Sequence, residues 1–286
     1  VDSIVSFISN KSVSNLDVAV FDKSSLILKN SHDKSMMKKP YTFDWLFSRH
    51  INVLEEIEKK PQLLFSMVVC ENACATSDAY KIKDYILDKN IDDDESLGYL
   101  KIINTGTIGK FLSKWGSTQM TYLKDKYTYP VVIKDDFLSG FTNSYGTKSL
   151  KPKIIIKGLT LLDCCIDIDG QVIAGKSTLM MADKDTRKLK FLLALLNSKL
   201  PLFYIKEKYR GSSYNQGINF NPDMINNLPV PQLTQAQQQP FITLVEQIMQ
   251  LKQQGQPTIA LETQIDNMVY ALYGLTDQEI AIIEGK

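Results

Sequence analysis

The chain has 286 residues, of which 44% are hydrophobic and 23% charged, so it can bury the core of one large or two medium domains. Its formal net charge is +1, which excludes a global basic field, so that any nucleic-acid contact needs local charge separation. No apolar run reaches the roughly 18 residues that cross a bilayer, and no signal peptide is visible. We therefore predict a cytoplasmic protein without a membrane partner.

The first 61 residues predict strands followed by a connecting helix. Apolar clusters at 4–8, 18–21 and 26–28 predict strands within residues 1–30. In residues 31–61, apolar side chains recur at helical spacing and the run ends at a Lys-Lys-Pro sequence, which is typical of a helix end.

The central part of the chain predicts short strands joined by turns. Residues 99–110 have the pattern of strand, turn and strand, and the aromatic residues between 122 and 145 are expected to anchor loops on the core. The dipeptide Asp169-Gly170 lies between apolar runs and is a hairpin signal. The predicted strands around it are 153–157, 161–167 and 171–174, continued by 178–182.

The four cysteines form two pairs in the sequence, Cys70 with Cys74 and Cys164 with Cys165. Neither spacing is that of a zinc knuckle, and adjacent strand residues point to opposite faces, so the second pair does not easily share one metal. We predict buried, reduced thiols and no metal site, which fits a reducing cytoplasm.

The segment 188–231 is the most informative part of the sequence. Apolar residues at helical spacing predict a helix over 185–199, which should end before Pro201 because the residue preceding a proline is pushed out of the α region. An aromatic and basic run at 203–210 and a polar Gly/Ser/Asn loop at 210–219 follow. This arrangement predicts an exposed cationic loop that presents hydrogen-bond donors to a polyanion.

Two further helices are predicted at the end of the chain. Apolar stripes cover 235–254 and 258–283, and the residues Gly255-Gln256-Pro257 separate them, which predicts a helical hairpin. Thr276 followed by Glu279 is the sequence signature of a capping box.

The charges are separated along the chain, although the net charge is close to zero. The acidic run 92–95 lies outside the part of the chain that is richest in basic residues. This enrichment supports a nucleic-acid contact, and a solvated lysine-rich surface is the alternative. The basic residues concerned are Lys151, Lys153, Lys157, Lys176, Lys184, Arg187, Lys188, Lys190, Lys199, Lys206, Lys208 and Arg210.

Several of these segments, taken in their order, resemble the C-terminal target recognition domain of TaqI-like and type IIG restriction-modification adenine-specific DNA methyltransferases. The resemblance is carried by Leu-Asn-Ser-Lys at 196–199, by the entry segment Cys70–Ile82, by Leu-Pro-Val-Pro at 228–231 and by the ending 265–285. Within the entry segment Thr76 and Tyr80 match the family pattern. Asn72 and Ser77 depart from it because glycines are common at those positions.

The resemblance implies an α+β fold with a mixed or antiparallel β recognition domain, flanking helices and a C-terminal helical hairpin. It implies that residues 1–30 are remnant strands of a catalytic methyltransferase domain and that 31–61 are a linker helix. The target recognition domain would then span 62–232 and the helical hairpin 233–286. The chain begins with Val1 and not with Met, so we expect it to be part of a longer protein.

Catalytic motifs are absent from the sequence. It contains no Asn/Asp-Pro-Pro-Tyr/Phe tetrapeptide, which adenine methyltransferases use to hold a flipped base, and no Gly-rich turn for S-adenosylmethionine. We therefore predict no catalytic residue and no cofactor in this chain. The resemblance implies S-adenosylmethionine, and Mg²⁺ if DNA is also cleaved, for the longer parent protein.

The function predicted is sequence-specific recognition of double-stranded DNA, with the upstream methyltransferase domain of the same polypeptide as the second partner. Lysines would neutralise phosphates, and loop side chains would contact base edges. The alternatives are a module that docks a separate methyltransferase or phage-defence subunit, and an enzyme of unrecognised type. The predicted DNA-binding residues are Lys157, Lys206, Lys208, Arg210, Ser212, Ser213, Tyr214, Asn215 and Gln216, with Lys110, Lys114 and Trp115 in addition.

Overall fold

The structure, a computed structural model, describes residues 15–22, 25–33, 48, 50–91, 98–209, 212–214 and 217–286. The fold is α+β, with mostly antiparallel sheets and a helical C-terminal part, as predicted. In the described part of the chain, no helix is both long and apolar enough to cross a bilayer.

The elements are numbered in chain order. The strands are β1 Asn15–Asp22, β2 Ser25–Asp33, β3 Gln62–Leu63, β4 Cys70–Asn72, β5 Leu87–Asp88, β6 Tyr99–Ile103, β7 Met120–Tyr122, β8 Asp125–Tyr127, β9 Pro130–Ile133, β10 Lys153–Lys157, β11 Leu159–Thr160, β12 Cys164–Asp167, β13 Val172–Ala174, β14 Thr178–Ala182, β15 Ser213–Tyr214, β16 Gly217–Asn219 and β17 Pro229–Val230. The helices are α1 Ile51–Glu58, α2 Thr76–Lys81, α3 Lys134–Gly140, α4 Ser144–Ser149, α5 Thr186–Asn197, α6 Lys199–Lys208, α7 Pro222–Asn226, α8 Gln235–Gln253, α9 Ile259–Tyr273 and α10 Asp277–Glu284.

The first two strands and the helix after them confirm the prediction for the start of the chain. β1 and β2 pair antiparallel, with an irregularity in register between Val18 and Ala19. The helix predicted within 31–61 is α1, which buries Val53, Leu54 and Ile57. The strand predicted at 4–8 lies outside the described residues.

The main sheet has the strand order β12-β10-β14-β4, and every pairing in it is antiparallel. Its strand β10 carries three isoleucines in a row, all fully buried, because both faces of the sheet are covered. Ile154 and Ile156 pack in the large core that includes α5, while Ile155 faces the opposite cluster with Cys165 and Met180. The main sheet therefore separates two hydrophobic clusters.

A second sheet has the order β13-β6-β9-β5, and it corrects the predicted hairpin at Asp169-Gly170. Gly170 does adopt the turn, with φ at 66°, but the strands on either side of it do not pair. β12 pairs with β10, whereas β13 runs parallel to β6. The side chain of Asp167 explains the divergence, since it accepts hydrogen bonds from the N–H groups of Gln171 (3.1 Å) and Val172 (3.0 Å) and so turns the chain away.

The second strand predicted within 99–110 is also absent. After β6 the chain forms a one-turn helix at 105–107 that is capped by the side chain of Asn104, and Ile108 makes only an isolated bridge to Ser113. Threonine and glycine following an asparagine favour such a cap over a strand.

Residues 203–208 of the aromatic and basic run are not a loop but part of helix α6. Helix α5 ends at Asn197, before Pro201 as predicted, and the chain then starts a new helix at Lys199. Pro201 lies in the first turn of that helix, where its missing N–H would have had no partner. The proline rule therefore predicted a break at the right place but not the resumption of the helix.

The aromatic residues between 122 and 145 pack in the core, as predicted. Phe137, Phe141 and Tyr145 contact one another, with ring centroids 5.0–5.7 Å apart. The cysteines are free thiols, and Cys74 alone is only half-buried.

The C-terminal helices confirm the predicted helical hairpin. α8 begins with a capping box at Thr234, and α9 ends at Gly274, whose φ of 72° is the left-handed conformation that glycine adopts at low cost. The predicted capping box of Thr276 and Glu279 is present at the start of α10. Phe241 of α8 packs edge-on against Phe191 of α5, so the hairpin shares a core with the preceding part.

Acidification is expected to loosen α10. Hydrogen bonds from Lys286 and Lys199 lower the pKa of Glu284 to about 2. The ionised carboxylate therefore stabilises the folded protein above the ordinary glutamate pKa of about 4.3, and this stabilisation is lost as the pH falls towards 2. Because these pairs lie near the surface, we expect an effect below about 1 kcal/mol. Thermal unfolding of the protein and of Glu284→Gln between pH 5 and pH 2 checks this. At pH 5 the variant should have a slightly lower melting temperature than the unaltered protein, and its melting temperature should fall less on acidification. Parallel curves of melting temperature against pH would contradict the expectation.

Candidate nucleic-acid interface

A groove of about 660 Å³ opens at one end of the main sheet. One wall is formed by residues 71–79 of β4 and α2, and the other by 158–159 and 219–220 of the β10–β11 corner and β16. Residues 176–179, at the start of β14, lie between them. The groove thus joins segments that are about 150 residues apart in the sequence.

The entry segment is fixed to the main sheet at the groove. Asn72 of β4 pairs with Leu179 of β14, and the N–H of Ala73 donates to the carbonyl of Thr178 (3.1 Å). The side-chain amide of Asn226 holds the backbone of Cys70 through two hydrogen bonds of 2.8 and 2.9 Å. This anchoring fixes the position of α2, which follows directly.

The segment turns into α2 without a left-handed residue. Asn72 and Ser77, which replace glycines common in the resembled family, both have negative φ or extended backbone and are exposed. The departures from the family pattern are therefore compatible with this turn.

The described residues of the predicted polar loop at 210–219 form two short strands. β15 and β16 pair antiparallel, and β16 pairs on its other side with β11, where Asn219 lies opposite Leu159. The N–H of Phe220 donates to the carbonyl of Gly158 (2.9 Å), which closes the second wall. A β-carbon on Gly217 would lie 2.7 Å from the carbonyl oxygen of Thr160, so only glycine allows the two strands to approach this closely.

The backbone beside the groove is strained. Thr160 and Ser177 have φ of 74° and 59°, which are uncommon for residues other than glycine. The carbonyl of Ser177 accepts hydrogen bonds from the hydroxyl of Thr105 and from the N–H of Gly158 (3.2 Å). Strained residues that the surroundings hold in place are found more often at functional sites, and two of them flank this groove.

The groove contains a cation and exposed polar side chains. The ammonium group of Lys176 lies 5.0 Å from the ring centroid of Tyr80, a residue of α2 that is 55% exposed. Glu71 is ion-paired with Lys148, so its charge is compensated. Burial raises the pKa of the Cys74 thiol to about 11, which keeps this groove residue neutral at physiological pH. The uncompensated charge of the groove lining is therefore positive.

The predicted phosphate contacts differ in their accessibility. Lys157 immediately precedes Gly158 and lies 3.6 Å from Asp163, with its side chain 19% exposed. Lys206 is exposed on α6. Lys208 does not fit the predicted role, because it is 9% exposed, is ion-paired with Glu58 and donates to the hydroxyl of Tyr204 (2.5 Å). A lysine at the buried face of a helix stabilises the packing of α6 on α1 and is not available to a phosphate.

The three weaker candidates do not line the groove. The ammonium group of Lys110 donates to the carbonyl of Asn197 (2.8 Å), near α9. The indole of Trp115 donates to the carbonyl of Pro130 (2.7 Å) and packs under Lys101, which fits a structural role. Lys114 is exposed nearby.

The loop candidates are placed only in part. Ser212 is half-buried at the start of the hairpin, and the backbone of Ser213 and Tyr214 forms β15. Arg210, Asn215 and Gln216 lie outside the described residues. The structure therefore brings the base of this loop to the groove through β16.

Three groove residues were not predicted as contacts. Asn72, Lys176 and Asn219 line the groove, and their sequence neighbourhoods predicted strands or turns. The only sequence signals for them are the position of Asn72 in the entry segment and of Lys176 in the lysine-rich region. Within the described residues, no group of three or more His, Cys, Asp or Glu side chains is arranged to hold a metal ion.

No protein-family model matches the chain, and no curated protein matches it. Among solved structures, the chain is similar to the type IIL restriction-modification enzyme MmeI in complex with DNA, with a TM-score of 0.41 and 10% sequence identity. The match covers 74% of this chain and 32% of that one, so the chain spans about a third of the length of the enzyme.

Proposed function

We propose that this chain recognises double-stranded DNA through the groove, as the specificity part of a restriction-modification adenine methyltransferase. The observation that supports it is that two segments distant in the sequence line the same groove. The entry segment and the base of the polar hairpin were singled out separately in the sequence, and they form opposite walls of one groove.

The electrostatics of the groove support a polyanion as its ligand. Lys176 lies over the ring of Tyr80 and has no ion pair within the described residues, so its charge remains available. Lys157 lies next to the groove but is ion-paired with Asp163, and Lys206 is an exposed cation on α6, away from the groove lining. A lysine placed like Lys176 neutralises a phosphate and gives binding that weakens as salt is added.

This chain and an upstream domain would have different roles. This chain holds the duplex and contacts base edges, and Arg210, Asn215 and Gln216 stay predicted contacts. The methyltransferase domain of the parent protein, with S-adenosylmethionine, would carry out the chemistry. The boundaries at 30, 61 and 232 belong to the same proposal.

Replacing Lys176 with glutamine tests the proposal. We expect the logarithm of the duplex-binding constant to fall less steeply with the logarithm of the salt concentration, by a slope of about 1, because one phosphate contact is lost. Fluorescence anisotropy with a random-sequence duplex across a salt series measures the slope.

Lys59→Gln is the matched control, because its side chain is 66% exposed on α1 and does not line the groove. It should leave the slope unchanged. Equal slopes for the two variants, or no duplex binding by the protein at low salt, would refute DNA binding through this groove.

A further inference from the structure

The polar side chains of the groove differ in whether they are already engaged. The carboxylate of Glu71 is paired with Lys148, and the hydroxyl of Thr178 donates to the carbonyl of Gly175 (2.7 Å). Lys176 is positioned over Tyr80. The carboxylate and the hydroxyl are thus engaged within the protein, and the proposed function assigns the charge of Lys176 to a phosphate and not to a base.

Two asparagines are not engaged in this way. Asn72 and Asn219 are both exposed, and neither side chain makes a hydrogen bond within the described part of the chain. They lie on opposite walls, and each is the last residue of a strand whose pairing partner is fixed, Leu179 for Asn72 and Leu159 for Asn219. Their backbones are therefore rigid while their amides point to solvent in the groove.

An asparagine amide offers one acceptor and one donor side by side. In the major groove, adenine presents the complementary pair, the N7 acceptor and the N6 amino donor, and a bidentate contact distinguishes it from the other bases. The hydroxyls of Thr76 and Ser177 lack this discrimination because a hydroxyl pairs with any base edge. The amides are thus the groups in the groove best suited to base selection.

Few hydrogen-bonding side chains that select guanine or cytosine are present on the groove walls. Guanine is typically contacted by arginine or a free lysine, and cytosine by a free carboxylate. Among the described residues that line the groove, Lys176 is the one candidate for guanine, and the carboxylate of Glu71 is compensated by Lys148. Because the proposed function assigns Lys176 to a phosphate, the two amides are the hydrogen-bonding groups left to select a base, and they favour adenine.

We propose that Asn72 and Asn219 are specificity-determining residues, each of which recognises one adenine of the DNA target through its major-groove edge. This inference rests on the proposed function. It adds a base identity that DNA binding alone does not require, since a cationic groove would bind every sequence with similar affinity.

Selection of bound duplexes from a randomised pool tests the inference, using the protein and the variants Asn72→Ala and Asn219→Ala. The protein should enrich a short motif with adenine at two positions. Each variant should lose the preference at one of these positions, a different one for each variant, with discrimination reduced by about 5- to 150-fold. Asn52→Ala, at an exposed asparagine of α1, is the matched control and should enrich the unchanged motif.

A second pair of variants separates recognition from folding. A carboxylate accepts from the amino group of cytosine, so Asn72→Asp and Asn219→Asp should replace the preferred adenine by cytosine. A misfolded groove would not produce a new preference.

The outcomes distinguish this inference from the function on which it rests. A motif that stays the same in both alanine variants, a motif without adenine, or duplex binding without any motif would overturn the assignment of the asparagines while DNA binding stands. A protein that binds no duplex would overturn the proposed function and this inference together.

Discussion

Replacing Asp167 with alanine is expected to destabilise the protein by about 3–5 kcal/mol, the largest effect that we predict for a single side chain. The ammonium group of Lys153 is completely buried and forms an ion pair with Asp167, and it also donates to the carbonyl of Ser149 (2.6 Å). Burial lowers the pKa of Lys153, and the carboxylate of Asp167 opposes that shift. Without the carboxylate, a buried charge remains uncompensated.

The same substitution removes the acceptor that separates β12 from β13. The carboxylate of Asp167 accepts from the N–H groups of Gln171 and Val172, so two backbone donors lose their partner as well. Urea unfolding measures the loss. Asp84→Ala, at an exposed aspartate, is the control and should change the free energy of unfolding by less than about 0.5 kcal/mol. Similar losses for the two variants would contradict the structural role of the pair.

Gly217→Ala is expected to reduce duplex affinity at least about tenfold by displacing one wall of the groove. The added β-carbon would meet the backbone of Thr160, 2.7 Å from its carbonyl oxygen and closer still to its Cα. Because the obstacle is backbone and not a flexible side chain, β16 must move away from β11, at a cost of about 1–3 kcal/mol. Asn219 and Phe220 lie two and three residues after Gly217 and would move with it.

Gly255→Ala is a control for the stability loss alone. Gly255 has φ of 68° and open space around its Cα, so alanine there is strained by about 1–2 kcal/mol without meeting any atom. It should lower the unfolding free energy yet leave duplex affinity unchanged. Anisotropy titrations of both variants, made well below their melting temperatures, provide the comparison. Unchanged affinity in Gly217→Ala would mean that this wall does not contact DNA.

Local patterns predicted much of the fold. The isoleucine run of β10, the apolar stripes of α5, α8 and α9, and the capping box of α10 depend on neighbours within a few residues, and the structure confirms them. Local rules also gave wrong results, as in the missing second strand within 99–110. Pro201 interrupts the helix but is tolerated in the first turn of α6, and Gly170 forms a turn whose flanking strands join different sheets.

The groove could not be predicted from local sequence patterns, because it is formed by the pairing of strands that are distant in the sequence. β4 reaches β14, and β16 reaches β11, across long stretches of sequence. Whether a lysine is free also depends on such pairing. Lys208 forms an ion pair with Glu58 of α1 and is buried, whereas Lys176 lies over the ring of Tyr80 and has no ion pair among the described residues. The sequence singled out the entry segment and the polar loop, but not which of their side chains share one surface.

Backbone hydrogen exchange with and without a random-sequence duplex at low salt is the most direct test of the groove as the DNA-binding surface. We expect slower exchange in the presence of DNA at residues 70–81, 157–160, 175–179 and 217–220, and unchanged exchange in α9 and α10. Slower exchange restricted to the C-terminal helices, or no change at the groove under conditions where the duplex is bound, would contradict the account and favour a docking role for those helices.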